Sequence, residues 1–138
     1  MIEKNTIIKQ WIEKADHDLG TAQLTFIHIP KFRDTIAFHC QQAVEKYLKA
    51  YLLFLDAPFK KIHDLTVLLG LITEFEPISD EMFDQSAELQ DYAIEIRYPD
   101  TILDLSEEDI IRAIQIAKDF RQHFLPKMNL KIDYEEIE

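Results

Sequence analysis

Residues 34–55, DTIAFHCQQAVEKYLKAYLLFL, decide the fold. The stretch has 22 residues and neither Gly nor Pro. As a helix it would run about 33 Å at 1.5 Å per residue. Ile36, Cys40, Ala43, Tyr47, Ala50 and Phe54 recur at three- and four-residue intervals, the period of one helical face. Val44, Leu48, Leu52 and Leu55 make a second apolar row beside the first. A helix apolar over more than half its girth is contacted from two sides and belongs in the middle of a bundle. The remaining polar residues are not scattered. His39, Gln42, Lys46 and Lys49 step by three, four and three, drawing one narrow polar stripe along the rod.

Upstream, a first helix is expected from about Asn5 as N-cap to Ile29, stopped by Pro30. Its apolar seam reads Ile8, Trp11, Ala15, Leu19, Ala22, Phe26 and Ile29, with Asp18 about 60° off it at the edge. The link 30–33 is so short that helices one and two must form an antiparallel hairpin. Downstream, DAPFKKI at 56–62 reads as a loop. A short helix three is expected from His63 or Asp64 to Phe75, broken by Glu76-Pro77. Ser79 is placed to cap helix four, Asp80 to about Arg97, which Tyr98-Pro99 ends. Ser106 to Asp109 forms a capping-box variant with Asp in place of Glu or Gln, opening helix five to about Phe124. No segment competes as a strand. The expected fold is all-α, an up-and-down bundle of four to five helices with short loops over residues 1–126, followed by an acidic tail at 127–138.

Composition bounds the function. At 138 residues and 47% apolar, the chain suits one globular domain with a substantial core. The opening MIEKNTIIKQW lacks the apolar run and cleavage site of a secretory leader, and no apolar run reaches the eighteen or so residues a membrane span needs. With a lone Cys40, these features point to the cytoplasm. The net charge of −11 arises from residues 76–138, which carry six Lys/Arg against seventeen Asp/Glu; residues 1–75 carry nine of each. That balance opposes a protein that grips DNA by its phosphates. There is no Gly-rich phosphate loop, no metal-ligand spacing among five His and one Cys, and no Glu-x-x-His pair of a di-iron bundle.

Several stretches together are familiar. Trp11, Ala15, Asp18, Leu19 and Ala22 come first; then FHCQQAVEKYLKA at 38–50; then His63-Asp64-Leu65; then Arg97-Tyr98-Pro99-Asp100. In this order, over about residues 8–124, they resemble the HEPN family, named for higher eukaryotes and prokaryotes and for suggested nucleotide binding. The resemblance implies a helical bundle that usually dimerises. It also implies a choice of roles. Many prokaryotic members accompany a minimal nucleotidyltransferase in toxin–antitoxin-like pairs, some relatives cleave RNA through an Arg followed four to six residues later by His, and others are thought to bind nucleotides without cleaving. Arg97 matches the motif's arginine, but Ile102, Leu103 and Asp104 stand where a histidine is needed, and the next, His123, is 26 residues on. Metal-independent RNA cleavage needs one group to move the 2′-hydroxyl proton and another to steady the phosphate. The first is missing from its expected place.

Each feature also has a plain structural reading. The stripe His39, Gln42, Lys46 and Lys49 is either a ligand groove or the solvated face of an amphipathic helix, with Lys49 read as a surface residue. His63-Asp64 either caps helix three or, with Lys60 and Lys61, holds an anion at its N-terminus. Arg97 either complements the helix dipole or faces a phosphate, with Tyr98 as stacking or hydroxyl partner. Asp18 is expected as a buried or half-buried charge partner for Lys46, His39 or Arg97, since an unpaired carboxylate there would be costly. The reading is therefore a non-catalytic, nucleotide-binding homodimer partnered with a minimal nucleotidyltransferase. Its groove would be His39, Gln42, Lys46, His63, Asp64, Arg97 and Tyr98. No cofactor beyond a nucleotide and no metal is expected. The alternatives are an RNA endonuclease, with Arg97 catalytic and His63, His39 or Tyr98 as base, and a purely structural dimerisation module. The dimer face is expected on helix two or helix four.

Overall fold

A computed structural model describes residues 3–96 and 104–132, and of residues 93–96 the backbone alone. Five helices build it: α1 (Lys4–His28), α2 (Arg33–Phe54), α3 (Leu65–Ile72), α4 (Asp80–Ile96) and α5 (Glu107–Phe124), with a 3₁₀ turn at Leu125–Met128. No strand occurs among the described residues, so the all-α bundle expected from the apolar periods is what forms. None of these helices is long and apolar enough to cross a membrane.

The rod that decides the fold is its hub. α2 packs against α1, α3, α4 and α5, and both of its apolar rows are consumed in doing so. Ile36, Cys40, Ala43, Val44, Leu48, Ala50 and Leu52 are all fully buried. Each large aliphatic side chain so placed contributes about 1.5–3 kcal/mol. Burial pushes the Cys40 thiol up to about 12, so it sits in this core as an apolar side chain rather than as a nucleophile. None of the exposed large hydrophobic residues lies on α2, where Phe38, Leu53 and Phe54 are partly buried.

α1 and α2 are antiparallel, as the short link requires. Lys4 at the start of α1 donates to the carbonyl of Phe54 at the end of α2 (3.0 Å) and pairs with Asp56 (2.9 Å). The α1 seam is Ile8, Ile12, Ala15, Leu19 and Ala22, with Trp11 only partly buried and Ile29 40% exposed. Asn5 is not the N-cap; the helix begins one residue earlier, behind Glu3, which makes no side-chain cap bond. α5 runs parallel to α2. Arg33 donates to the Leu105 carbonyl at one end (2.9 Å), and Phe124 packs on Tyr51 at the other (ring centroids 4.9 Å). The capping box forms with Asp: the Ser106 hydroxyl accepts from the Asp109 N–H (3.0 Å), and Asp109 accepts from the Ser106 N–H (2.9 Å).

α3 is shorter than its apolar pattern suggested, because residues 73–75 continue only as a turn. At its far side the chain is closed by Glu76, which accepts from the Tyr51 hydroxyl and from Lys127 Nζ (2.5 Å). After the 3₁₀ turn the chain stays on the bundle: Met128 is buried, and Leu130 and Ile132 pack on the core. Burial alone would raise the Glu76 carboxyl, but the bonds from Lys127 and Tyr51 outweigh it and hold it below its ordinary value. A carboxyl depressed in the fold stabilises fully above its unfolded value, and that contribution is lost as pH falls through the folded one. Glu76→Gln is therefore expected to lower stability at pH 7 and to shrink the remaining acid loss. Urea midpoints at pH 7 and pH 3 check this; equal wild-type and variant differences between the two pH values would refute it.

Candidate functional site

α1 and α5 pack together against α2, as α3 and α4 do. Along α2, facing α1 and the loop before α3, the polar stripe becomes a chain of ion pairs. Its first cluster is built on Asp18. One carboxylate oxygen accepts from His39 Nδ1 (2.8 Å) and the other from Lys46 Nζ. His39 and Lys46 are two helical turns apart on α2, so a single carboxylate from α1 spans them. All three are partly buried, with side chains 13% (Asp18), 27% (His39) and 23% (Lys46) exposed. An ionised carboxylate only accepts, so it fixes Nδ1–H of the imidazole inward and leaves Nε2 as the atom available to a ligand. The Phe38 ring stands edge-on to this imidazole at 5.5 Å. The expectation that Asp18 serves Lys46 or His39 holds for both.

The second cluster is centred on Glu45, which is 5% exposed. Its Oε2 accepts from Lys49 Nζ (3.0 Å) and from His63 Nδ1 (3.0 Å). Gln42 donates to Gln41 (2.7 Å), and Gln41 reaches the other Glu45 oxygen (3.4 Å). Lys49 is not the surface residue the sequence suggested: it is 4% exposed. Its ammonium lies over the rings of Trp11 (5.6 Å) and Phe59 (5.9 Å), which meet edge to face. A carboxylate one turn back and two aromatic faces together make that burial tolerable. Glu45, Trp11 and Phe59 were not among the expected site residues. The Glu45–Lys49 spacing of four was the available sign; the rings, from α1 and from the loop, gave none.

The loop 55–64 brings His63 back onto α2 by way of two left-handed residues, Asp56 (φ 59°) and Lys60 (φ 41°). Asp64 is the N-cap of α3 and accepts from the N–H groups of Thr66 (2.9 Å) and Val67 (3.3 Å). The Thr66 hydroxyl, with these N–H groups, holds the Asp64 carboxyl below its ordinary value against the effect of burial. The Leu65 N–H is taken by Gln90 from α4 (2.8 Å). This helix N-terminus is therefore filled by the protein's own acceptors, and the anion site anticipated there gives way to the cap. Arg97 and Tyr98 lie outside the described residues, and with them the last wall of the anticipated groove.

What the described part brings together is His39, Gln42, Lys46 and His63 along one seam of α2, with Asp18 and Glu45 as their acceptors. Lys46 and Lys49 each face a carboxylate, so the seam is balanced rather than strongly basic. On another side of α2, Asp16 takes Arg121 in a two-point bond (2.8 and 3.2 Å) together with the Tyr47 hydroxyl, tying α1, α2 and α5.

The family model described as the HEPN domain matches residues 8–127. Among solved structures, the chain is similar to ST0689, an archaeal HEPN homologue: TM-score 0.71, 22% identity, covering 88% of this chain and 98% of that one. It is also similar to TT1696 from Thermus thermophilus: TM-score 0.73, 23% identity, covering 88% and 97%. At these identities the likeness is one of fold. None of the curated proteins matches the chain.

Proposed function

Because the chain belongs to the HEPN domain family, we propose that it is a non-catalytic, nucleotide-binding HEPN subunit that acts as a homodimer beside a minimal nucleotidyltransferase. The observation that carries the binding part is the Asp18–His39–Lys46 cluster, an imidazole and an ammonium held on one carboxylate, each about a quarter exposed, on a helix whose apolar rows are buried. Lys46 would turn from Asp18 toward a ligand phosphate, and His39 Nε2 would meet a base or sugar edge. The balanced charge of the seam suits a small ligand more than a nucleic-acid backbone, whose binding grows with the number of phosphates neutralised. The partner rests on the family's habits and on the acidic second half of the chain, which would complement a basic face.

A thermal-shift panel of ATP, GTP and nucleoside monophosphates tests the binding. Wild type is expected to rise in melting temperature with at least one of them. Lys46→Ala is expected to weaken that ligand about tenfold or more, the loss of one charge-assisted hydrogen bond. No shift with any nucleotide, or equal shifts in both proteins, would sink the groove. Co-purification with a nucleotidyltransferase encoded beside it tests the partner separately.

One observation favours a second reading. The Asp18–His39 pair has the form of a carboxylate-oriented base, and in an RNA endonuclease it would stand in for the histidine missing after Arg97. Purified protein on total RNA decides it. Cleavage lost in both His39→Ala and Arg97→Ala would favour the enzyme, and no cleavage at any protein concentration would remove it.

A further inference from the structure

Away from the polar seam, one cleft brings opposite charges together on an apolar floor. It has a volume of about 270 Å³ and opens between the α1–α2 hairpin and the first turn of α5, lined by Phe26, Pro30, Lys31, Arg33, Glu107 and Ile110. Pockets for drug-sized ligands run to about 300–1,000 Å³, so the occupant this cleft suits is smaller. Phe26 packs against the core from the end of α1. On α5, Ile110 follows Glu107 at the three-residue spacing that sets two side chains on one helical face, and it is fully buried. Arg33 is held in place: its Nη1 donates to the Leu105 carbonyl (2.9 Å), which fixes the guanidinium at the start of α5 and leaves most of its five N–H donors unspent.

The charges select the ligand. The hairpin contributes Lys31 and Arg33, and α5 contributes Glu107, all three exposed. Although they line one cleft, no ion pair closes between them, and among the described residues neither the Lys31 ammonium nor the Glu107 carboxylate has a hydrogen-bond or ion-pair partner. Cations and a carboxylate that share a cleft without meeting leave room for a molecule carrying both complementary charges. A phosphate or a dicarboxylate would meet the two cations but be opposed by Glu107. A metal ion would meet one carboxylate against two cations. A wholly apolar molecule would cover the charged groups without pairing them. A small zwitterion with an apolar tail satisfies every wall. We propose that this cleft binds a free α-amino acid with an apolar side chain. Its carboxylate lies on Lys31 and Arg33, its ammonium on Glu107, and its side chain leaves water against Phe26 and Ile110. Exposed ion pairs contribute little each, so the dissociation constant is on the order of 1 mM. The site shares no residue with the nucleotide groove and does not depend on that reading.

The test is titration of the full chain with L-leucine and L-phenylalanine up to about 10 mM, followed by amide shifts in proton–nitrogen NMR spectra. Perturbations are expected at residues 26–33 and 105–110, with residues 39–49 of the seam unmoved. N-acetyl-L-leucine lacks the ammonium and L-leucinamide lacks the carboxylate, and each is expected to bind about tenfold more weakly than L-leucine. Two variants assign the charges. Glu107→Gln, outside the Ser106–Asp109 capping box, should weaken L-leucine while leaving N-acetyl-L-leucine unchanged. Lys31→Met should weaken L-leucine while leaving L-leucinamide unchanged. Both positions are exposed, and an otherwise unaltered spectrum shows that each variant is folded. No perturbation by either amino acid overturns the proposal, as do perturbations confined to other residues. Equal binding of L-leucine and its two blocked forms overturns it as well, since the cleft would then take apolar molecules without reading their charges.

Discussion

Replacing Lys49 by methionine is expected to lower the stability of the fold by about 3–5 kcal/mol, the cost of removing one partner from a buried ion pair. The reason lies in what stays behind. The Glu45 side chain is 7% exposed and was matched to Lys49 at 3.0 Å. Without the ammonium it keeps His63, whose side chain is 64% exposed and can share its proton with water. The aromatic pair over Lys49 accommodates a methionine, so the loss is electrostatic rather than steric. Removing both charges separates the two causes. Glu45→Leu combined with Lys49→Met should recover most of the loss, since a buried pair replaced by apolar residues of similar volume is often neutral or better. Urea titrations of wild type, both single variants and the double variant close the cycle. A single variant as stable as wild type would mean that the pair is hydrated and that its burial contributes nothing.

The second large effect is expected at Phe124. Its ring is fully buried at the end of α5, with Tyr51 at 4.9 Å, His123 edge-on at 4.7 Å and Phe120 at 6.1 Å. Phe124→Ala should cost about 3–5 kcal/mol through lost burial and the cavity left. It should also loosen what the ring seats. Tyr51 and Lys127 meet on Glu76, and that junction fastens the end of α3 to the 3₁₀ turn after α5. By contrast Phe75, 51% exposed, should tolerate alanine within about 0.5 kcal/mol. Comparable losses at the two positions would contradict this account of the core.

Most of the architecture was legible because it follows from spacing. The two apolar rows of α2 and the Ser106–Asp109 box are local patterns, and each forms where its period places it; the α1 seam does so except at Trp11 and Ile29. Ile12 and Trp11 both fit a three-or-four step; burial chose the aliphatic and left the indole at the edge, over Lys49. The site was legible only where partners lie on adjoining helices of a hairpin. Asp18 with His39 and Lys46 follows from two antiparallel helices in register. The burial of Lys49 was not legible because it depends on Phe59 and His63, delivered by a loop whose left-handed turns at Asp56 and Lys60 leave no mark in periodicity. The α3 N-terminus was legible in part: Asp64 was readable as its cap, but Gln90, which takes the Leu65 N–H, comes from 25 positions away.

That α2 touches every other helix has a consequence for how the molecule opens. A terminal helix can detach while the rest of a bundle persists, but the hub cannot leave unless all four neighbours let go. Its amides should then exchange with solvent only through global unfolding, and their protection should equal the full stability of the domain. The eight-residue α3, held by fewer neighbours, should exchange sooner. If so, the polar seam is split between two regimes. His39, Gln42 and Lys46 ride on backbone that is effectively permanent, while His63, at the threshold of α3, is free to come and go. A ligand in the seam would meet a fixed floor and a movable flap, and slowed exchange at residues 63–72 on its arrival would be the first sign of closure.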